Sequence, residues 1–423
     1  MYKVIKFLLK IFVRKNKLFL FLYILCITSL TYFFPLTPLS TAKMSSKQPI
    51  EHIKNYDSQK RITIFFAGDV MTGRGIDQIL PYPSKPGIHE SYVKSAQGYV
   101  ELMEKHSGAI NKPAEYSYVW GDALDIFTKI KPDLKIVNLE TSITTSEDYW
   151  KGKGINYRMS PANIEVLKTA GLDFVSLANN HVLDWGYDGL RETIEILDSA
   201  GIKHSGAGLD KSRAEKPAVF DIPNKGKVII FSLGSIDSGI PHSWKATSGK
   251  PGVNLIDKFS ETRINEIGKQ IEEISKPEDL VVLSIHWGTN WGYSIPEEHR
   301  NFAHRLIDTA GVDIVHGHSS HHPGGVEVYK GKLVIYGAGD LINDYEGISG
   351  YENFRDDLSL MYFVTLNSTN VMDIRMVPMQ IRKFSLMRAG KEDSNWLFNT
   401  MRKESNKLGT KVEINDRNIL FVK

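Results

Sequence analysis

Six short apolar runs recur along this chain, and each one ends on or beside a polar residue that can bind a metal ion. β-Branched and aromatic residues are frequent in these runs, as they are in buried strands. The runs are RITIFFAGDV, DLKIVNLE, DFVSLANNH, LVVLSIHWG, VDIVHGH and KLVIYGAGD. The pattern predicts buried strands whose carboxyl ends are followed by polar side chains.

Helical patterns separate several of these runs. SPANIEVLKTAG opens with Ser160-Pro161, a helix-start signal, and ends at Gly171. Apolar residues also recur at helical spacing in GLRETIEILDSAG, RINEIGKQIEEI and HRNFAHRLIDTAG. Alternating strands and helices predict an α/β layered fold, in which ligands bind outside the carboxyl ends of the strands. The segment after Asp340 predicts a β-hairpin or meander that extends the same domain.

The first 39 residues predict a membrane segment. Residues 1–17 carry six basic residues and no acidic one, and residues 18–39 carry no charged residue. An apolar helix of this length spans about one bilayer thickness, and a basic flank before it marks the cytoplasmic side. We predict a cytoplasmic basic segment (1–17), a transmembrane signal-anchor (18–39), a linker (40–60) and a folded extracytoplasmic domain (61–423). The alternative is a signal peptide cleaved near Ser40-Thr41-Ala42, which also places the folded domain outside the cytoplasm.

Charge and cysteine content exclude several function classes. Because the first 17 residues contribute +6 to a formal net charge of +3, the rest of the chain carries −3. A mildly acidic folded region lacks the basic patch that nucleic-acid binding requires. The only cysteine, Cys26, lies in the apolar segment. A disulfide, a cysteine-based zinc site and a thiol nucleophile are therefore excluded from the predicted exported domain.

The segment HGHSSHHP carries the strongest chemical signal. Four of the thirteen histidines of the chain lie within seven residues there: His316, His318, His321 and His322. Imidazole and carboxylate groups are the ligands that borderline divalent metals prefer. This concentration of histidines favours a metal site over a purely structural loop.

Other strand-end residues are ambiguous when taken singly. Asp69 could be a turn residue, Glu140 could cap a helix, and His286 could be a buried, hydrogen-bonded histidine. Asn180 and His181 form a sharper pair, since they offer a neutral oxygen ligand beside a proton donor. What these residues share is their position after predicted strands.

The ordered motifs GDVMTGR, NLETSIT, LANNHVLDWG, IHWG and HGHSSHHPGGVEVYKGKLVIYGAGD resemble the CapA family of bacterial capsule and poly-γ-glutamate synthesis proteins. That family is related to the calcineurin-like metallophosphoesterases. The resemblance covers about residues 61 to 345. It implies a four-layer α/β/β/α sandwich around a metal site built from the loops at the strand ends.

The resemblance also implies roles for single residues. The metal ligands that it implies are Asp69, Glu140, Asn180, His286, His318 and His321, which would hold a divalent ion such as Mn, Fe or Zn. His181 would act as general acid or phosphate contact, and Arg74 would contact an anionic substrate.

This chain departs from the phosphoesterase pattern at two positions. Met71 stands where those enzymes have a histidine, and a thioether is a poor ligand for a hard or borderline ion. Two residues separate His318 from His321, where the phosphoesterases have one. The sequence therefore predicts one strongly held metal ion and a second position that is weak or empty.

Two functions are compatible with these features. The first is a membrane-anchored, extracytoplasmic protein that takes part in poly-γ-glutamate synthesis or export, with other synthase subunits, the membrane and the acidic polymer as partners. The alternative is a metal-dependent hydrolase unrelated to capsule, acting on a phosphoester or a γ-glutamyl bond. In that case a divalent ion would lower the pKa of the attacking water, and His181 would protonate the leaving group.

Overall fold

A computed structural model describes residues 61–423 of the chain. The predicted cytoplasmic segment (1–17), signal-anchor (18–39) and linker (40–60) lie outside the described residues. Within residues 61–423, every helix is too short or too polar to cross a bilayer.

The described residues form twenty-one strands. In chain order they are Arg61–Val70 (β1), Leu134–Leu139 (β2), Ser142–Ile143 (β3), Arg158–Met159 (β4), Phe174–Ser176 (β5), Lys203–Ser205 (β6), Ala207–Gly208 (β7), Ala218–Ile222 (β8), Gly226–Ser235 (β9), Gly252–Val253 (β10), Leu255–Ile256 (β11), Leu280–His286 (β12), Ile314–His318 (β13), Val326–Tyr329 (β14), Lys332–Ile335 (β15), Asp340–Ile342 (β16), Leu358–Asn367 (β17), Asn370–Arg382 (β18), Ser385–Arg388 (β19), Val412–Ile414 (β20) and Leu420–Val422 (β21).

The same part of the chain contains ten α-helices. They are Arg74–Ile79 (α1), Gln97–Ser107 (α2), Tyr116–Trp120 (α3), Asp122–Ile130 (α4), Glu165–Thr169 (α5), Gly186–Ala200 (α6), Lys211–Glu215 (α7), Glu261–Ile274 (α8), Glu297–Arg305 (α9) and Lys391–Asn406 (α10).

Two large sheets organise these elements. A ten-stranded sheet has the order β20-β21-β18-β17-β1-β2-β5-β6, with β16 paired to β1 and β19 paired to β18. A seven-stranded sheet has the order β11-β9-β12-β13-β15-β14, with β8 paired to β9. In both sheets the central strands that precede the site are parallel, so their carboxyl ends lie at one edge.

Side chains of β1 alternate between two apolar clusters, as the two-residue period of a strand requires. Phe65 packs on one face of the ten-stranded sheet against Phe127 of α4, with ring centroids 4.8 Å apart. Ile64 and Phe66 belong to a second cluster, which includes Val282 of the seven-stranded sheet. This sheet is therefore buried on both faces.

The seven-stranded sheet contributes to a third cluster through its alternate side chains. Val281 belongs to it, together with Ile267 of α8 and Phe302 of α9. These helices cover the face that does not share the cluster with the ten-stranded sheet. The predicted α/β fold class is confirmed at this level.

The predicted strands and helices occur near their expected positions. The six apolar runs contain β1, β2, β5, β12, β13 and β15, and the tail after Asp340 forms the antiparallel β17–β18 pair. The sixth run differs from expectation, because its strand ends at Ile335 and Asp340 instead begins β16. The helix expected over HRNFAHRLIDTAG ends at Arg305 and continues as a wider turn over Leu306–Ala310.

Candidate metal centre and adjoining cavity

Asp69, at the carboxyl end of β1, belongs to two groups of potential metal ligands. In the first group, one atom each from Asp69, His286 and His318 lie within 4.8 Å of one another. The second group consists of Asp69, Glu140, His321 and Asp340, within the same 4.8 Å limit. Two overlapping donor sets that share a carboxylate are an arrangement that can hold two neighbouring cations.

The carboxylates of Asp69, Glu140 and Asp340 are buried beside one another. Burial and then the charge of Asp340 raise the pKa of Asp69 to about 7. Burial and the charges of the other two carboxylates raise the pKa of Glu140 well above its usual value. Oδ1 of Asp69 accepts a hydrogen bond of 2.7 Å from Nδ2 of Asn138, whereas Oδ2 is buried and receives none from the described residues. Buried carboxylates in this state require protons or a cation.

His286 and His318 end neighbouring strands of the seven-stranded sheet, and their Nδ1 atoms lie 2.8 Å apart. The opposite nitrogen of His286, Nε2, lies 3.1 Å from Oδ1 of Asn180. Because an amide oxygen only accepts, this contact requires Nε2–H on His286. A neutral His286 ring therefore has its lone pair on Nδ1, directed at His318.

Hydrogen bonds that involve His316 and Ser284 determine the tautomer of His318. Nε2 of His316 lies 2.9 Å from the carbonyl oxygen of Ala67, so it carries the proton and Nδ1 accepts. Ser284 Oγ then donates to Nδ1 of His316 (3.2 Å) and accepts from Nε2 of His318 (3.0 Å). This series of hydrogen bonds places the lone pair of His318 on Nδ1 as well.

Two lone pairs that face each other at this distance fit a shared cation. With metal–nitrogen bonds of about 2.1 Å, two imidazole ligands at right angles lie about 3 Å apart. Burial, the largest cause, holds the pKa of His286 and of His318 well below the usual value, so both rings are neutral. Neutral imidazole is the form that binds metal ions.

His181 lies beside this centre with its ring held by Asp184. Nδ1 donates to Oδ2 of Asp184 at 2.6 Å, and Nε2 faces Glu140 at 3.8 Å. The ring stacks on Tyr157, and Nζ of Lys153 lies 2.9 Å from Nδ1. Burial lowers the pKa of His181 to about 4, which leaves a neutral ring with an accepting Nε2. The role of His181 as general acid stays a prediction.

Arg74, the predicted contact for an anionic substrate, lies in an ionic network. Nε donates to Oδ2 of Asp344 at 2.8 Å, and NH1 donates to Oε1 of Glu90 at 2.9 Å. The guanidinium carbon lies 3.6 Å from the ring centre of Tyr99. Its charge is thus paired with two buried carboxylates, although the residue also lines the cavity described below.

His321 contacts Asp340 through Nδ1, at 2.9 Å from Oδ1. Burial on its own lowers the pKa of His321, but the charges of Asp340 and Asp69 outweigh it and the pKa is raised. The structure therefore places His321 with the carboxylates of the second donor group.

A cavity of about 390 Å³ adjoins the second ligand group at His321. Asn180, His181 and His321 line it, together with Lys153. Aromatic side chains form much of the remaining wall, and Trp291 stacks on Tyr351 with ring centres 4.0 Å apart. The cavity therefore reaches His321 of the second ligand group and Asn180, whose Oδ1 lies 3.1 Å from Nε2 of His286.

Sequence reasoning left four contributing residues out of the site. Asp340 ends the apolar run KLVIYGAGD, but the sequence motifs assign it no role in the site. Asp184 lies three residues after His181, which is a weak local signal, and Ser284 and Lys153 carry none. Their roles arise from contacts between distant segments, such as the 2.6 Å ion pair between Lys153 and Asp184.

A protein-family model matches most of the described residues. The model of the family described as "Bacterial capsule synthesis protein PGA_cap" matches residues 63–345.

Several curated bacterial proteins are similar over nearly the whole chain. A protein of Mycobacterium tuberculosis named "Probable polyglutamine synthesis accessory protein" is 41% identical over 364 residues, covering 85% of this chain and 96% of its own. The "PGA biosynthesis protein CapA" of Bacillus subtilis is 26% identical over 88% of each chain. The "Capsule biosynthesis protein CapA" of Bacillus anthracis is 24% identical over 94% of this chain and 86% of its own.

Proposed function

This chain belongs to the bacterial capsule synthesis protein family PGA_cap, and from that premise we propose that it is an accessory protein of poly-γ-glutamate synthesis or export. The names of the relatives from three bacterial species support a capsule-related role. In the proposal, other synthase subunits and the acidic polymer are its partners. In the same proposal, the functional protein holds a divalent cation in the candidate metal centre.

One observation carries the cation proposal: Asp69 is shared between two buried donor groups, and its Oδ2 accepts no hydrogen bond within the described part of the chain. The donor set fits the ion chemically. The first group offers two neutral imidazoles and a carboxylate, which suit Zn, Fe or Mn. The second group is richer in carboxylate, so its negative charge is stabilised by a cation.

When bound, a divalent ion would act as a Lewis acid toward a phosphoryl or carbonyl oxygen, or toward a carboxylate of the polymer. Protein side chains would orient the reacting groups and restrict the access of water. Asp184 orients the ring of His181, Lys153 pairs with Asp184, and the aromatic wall limits water around a bound segment.

A metal-dependent hydrolase is the second candidate function. The observation that favours it is the position of His181, which faces Glu140 at 3.8 Å and lines a cavity large enough for part of a substrate. Such a group can exchange a proton with a reacting oxygen or nitrogen. The substrate would carry a phosphoester or a γ-glutamyl bond.

The finer architecture is part of the same proposal. Three apolar clusters support a four-layer α/β/β/α sandwich, since one lies between the sheets and two lie under helices. We further propose that residues 18–39 anchor the chain in the cell membrane, that 40–60 form a linker, and that 61–423 lie outside the cytoplasm.

Replacing metal ligands tests the accessory role. In cells in which the gene is replaced by variants, His286→Ala and His318→Ala should each lower bound metal and surface polymer together. His242→Ala is a matched control, because that side chain is 76% exposed. Normal polymer output from a variant that has lost its metal would contradict the proposed role of the ion.

The anchor is tested by location. A reporter fused after Lys423 should be active only outside the cytoplasm, and the full chain should fractionate with membranes. Recovery of a soluble form that starts near Lys43 would instead support a cleaved signal peptide.

A further inference from the structure

Asp340 reaches the site through a strand pairing that brings two backbones unusually close. β16 runs parallel to β1 with Asp340 in register with Asp69, and the amide of Asp69 donates to the carbonyl of Gly339 at 3.2 Å. A Cβ atom on Gly68 would lie 2.0 Å from that same carbonyl oxygen. Glycine at position 68 therefore permits the approach that sets the two aspartates side by side.

The Asp340 carboxylate is also held in orientation. Oδ1 contacts Nδ1 of His321 at 2.9 Å, and Oδ2 accepts a hydrogen bond of 2.9 Å from Nδ2 of Asn343. Both partners leave lone pairs of the carboxylate free, since each oxygen can accept more than one contact. A carboxylate oriented in this way resembles a ligand supported by surrounding hydrogen bonds.

Met71 lies on the same pairing, two residues beyond Asp69. Its amide donates to the carbonyl of Ile342 at 3.0 Å, so β16 runs directly beside the segment where the phosphoesterases supply a histidine. The side chain of Met71 is buried and offers no oxygen or nitrogen. A donor from β16 can take over the role that position 71 has lost.

We propose that Asp340, with Glu140 and the shared Asp69, holds a second divalent cation in place of the missing histidine at position 71, and that His321 orients the Asp340 carboxylate. The inference rests on the proposed function, in which Asp69, His286 and His318 hold the first ion. Oδ2 of Asp69 is buried and receives no hydrogen bond from residues 61–423, which points to a bound ligand at this oxygen. Three carboxylates favour a hard ion such as Mn²⁺ at this second position.

Manganese binding to the full chain in detergent, followed by calorimetry and electron paramagnetic resonance, tests the proposal. The chain is first freed of metal with a chelator. We expect two equivalents to bind, with the mononuclear signal lost as the second ion enters beside the first. Asp340→Asn should weaken the second equivalent by at least about tenfold and leave the first in place. Asp221→Asn, whose carboxylate is 82% exposed, should keep both.

The outcomes separate the two proposals. One equivalent in the wild-type chain, or two tight equivalents in Asp340→Asn, would overturn the second position and leave the first intact. No binding at all would overturn both. Because Asp340→Asn could fail to fold, anomalous scattering from wild-type crystals soaked in Mn²⁺ provides a second measurement: two neighbouring peaks support the inference, and a single peak at His286 and His318 refutes it.

Discussion

His181 is the side chain that distinguishes the accessory role from hydrolysis. It lies beside the donor groups but outside both of them, with Nδ1 bound to Asp184 and Nε2 directed at Glu140. Its replacement should therefore alter proton transfer without removing a ligand. Burial holds its pKa near 4, so the ring stays neutral at neutral pH.

We expect His181→Asn to keep its bound metal and to support surface polymer at the wild-type level. If the protein also hydrolyses a substrate, that rate should fall by roughly 10²- to 10⁴-fold, the usual contribution of a general acid or base. Metal analysis, polymer quantification and assays on phosphodiester and γ-glutamyl substrates measure the three properties. Loss of polymer from a variant with full metal content would favour hydrolysis as the biological role.

The pairing of β1 with β16 is the element on which the second donor group depends. Gly68→Ala places a Cβ atom 2.0 Å from the carbonyl oxygen of Gly339, so the two strands must separate. Overpacking of this kind costs roughly 1–3 kcal/mol in the free energy of unfolding. We expect that loss in urea denaturation, together with weaker binding of the second Mn²⁺. Gly87→Ala is the control, since its Cβ would meet no atom within 4 Å, and an unchanged Gly68→Ala would contradict the close approach.

The strands that support the site are predictable from the sequence, whereas some of the contacts between distant segments in the site are not. β1, β2, β12 and β13 are rich in apolar residues and interrupted by few polar ones, as expected of strands that are buried on both faces. Asp340 was harder to place. Its run was expected to be one strand, but the chain leaves β15 at Ile335 and crosses to the other sheet before Asp340. A crossover of this kind is determined by tertiary packing and has no periodic signal.

The tautomer of His318 is likewise determined by tertiary packing. It depends on a contact between His316 and the carbonyl of Ala67, 249 residues apart in sequence. The cluster of histidines predicts metal binding as a class of chemistry, but the sequence does not distinguish the roles of His316 and His318. His316 acts through Ser284, and His318 faces the candidate ion.

The stability of the whole domain should depend on pH through the protonation of the Asp69 carboxylate. In the metal-free protein, burial and Asp340 raise the pKa of this group from 3.8 to about 7. The native state then binds the proton more tightly than the unfolded chain does. This contribution to stability is fully present at low pH and is lost as the pH rises from 3.8 toward 7.

Comparison with Asp69→Asn separates this effect from that of the buried histidines. Because burial lowers the pKa values of His181 and His286, these groups make the free energy of unfolding decrease as the pH falls. In chelator, the free energy of unfolding of the wild type minus that of the variant should fall between about pH 4 and pH 7.5, by at most about 4 kcal/mol. Urea denaturation across this range measures the difference. Added Mn²⁺ should restore the wild-type stability at the higher pH and have a much smaller effect on Asp69→Asn, because an ion bound only by the native state stabilises it. A difference that stays constant or increases with pH in chelator would show that the carboxylates of the centre are not held together in the way their burial requires.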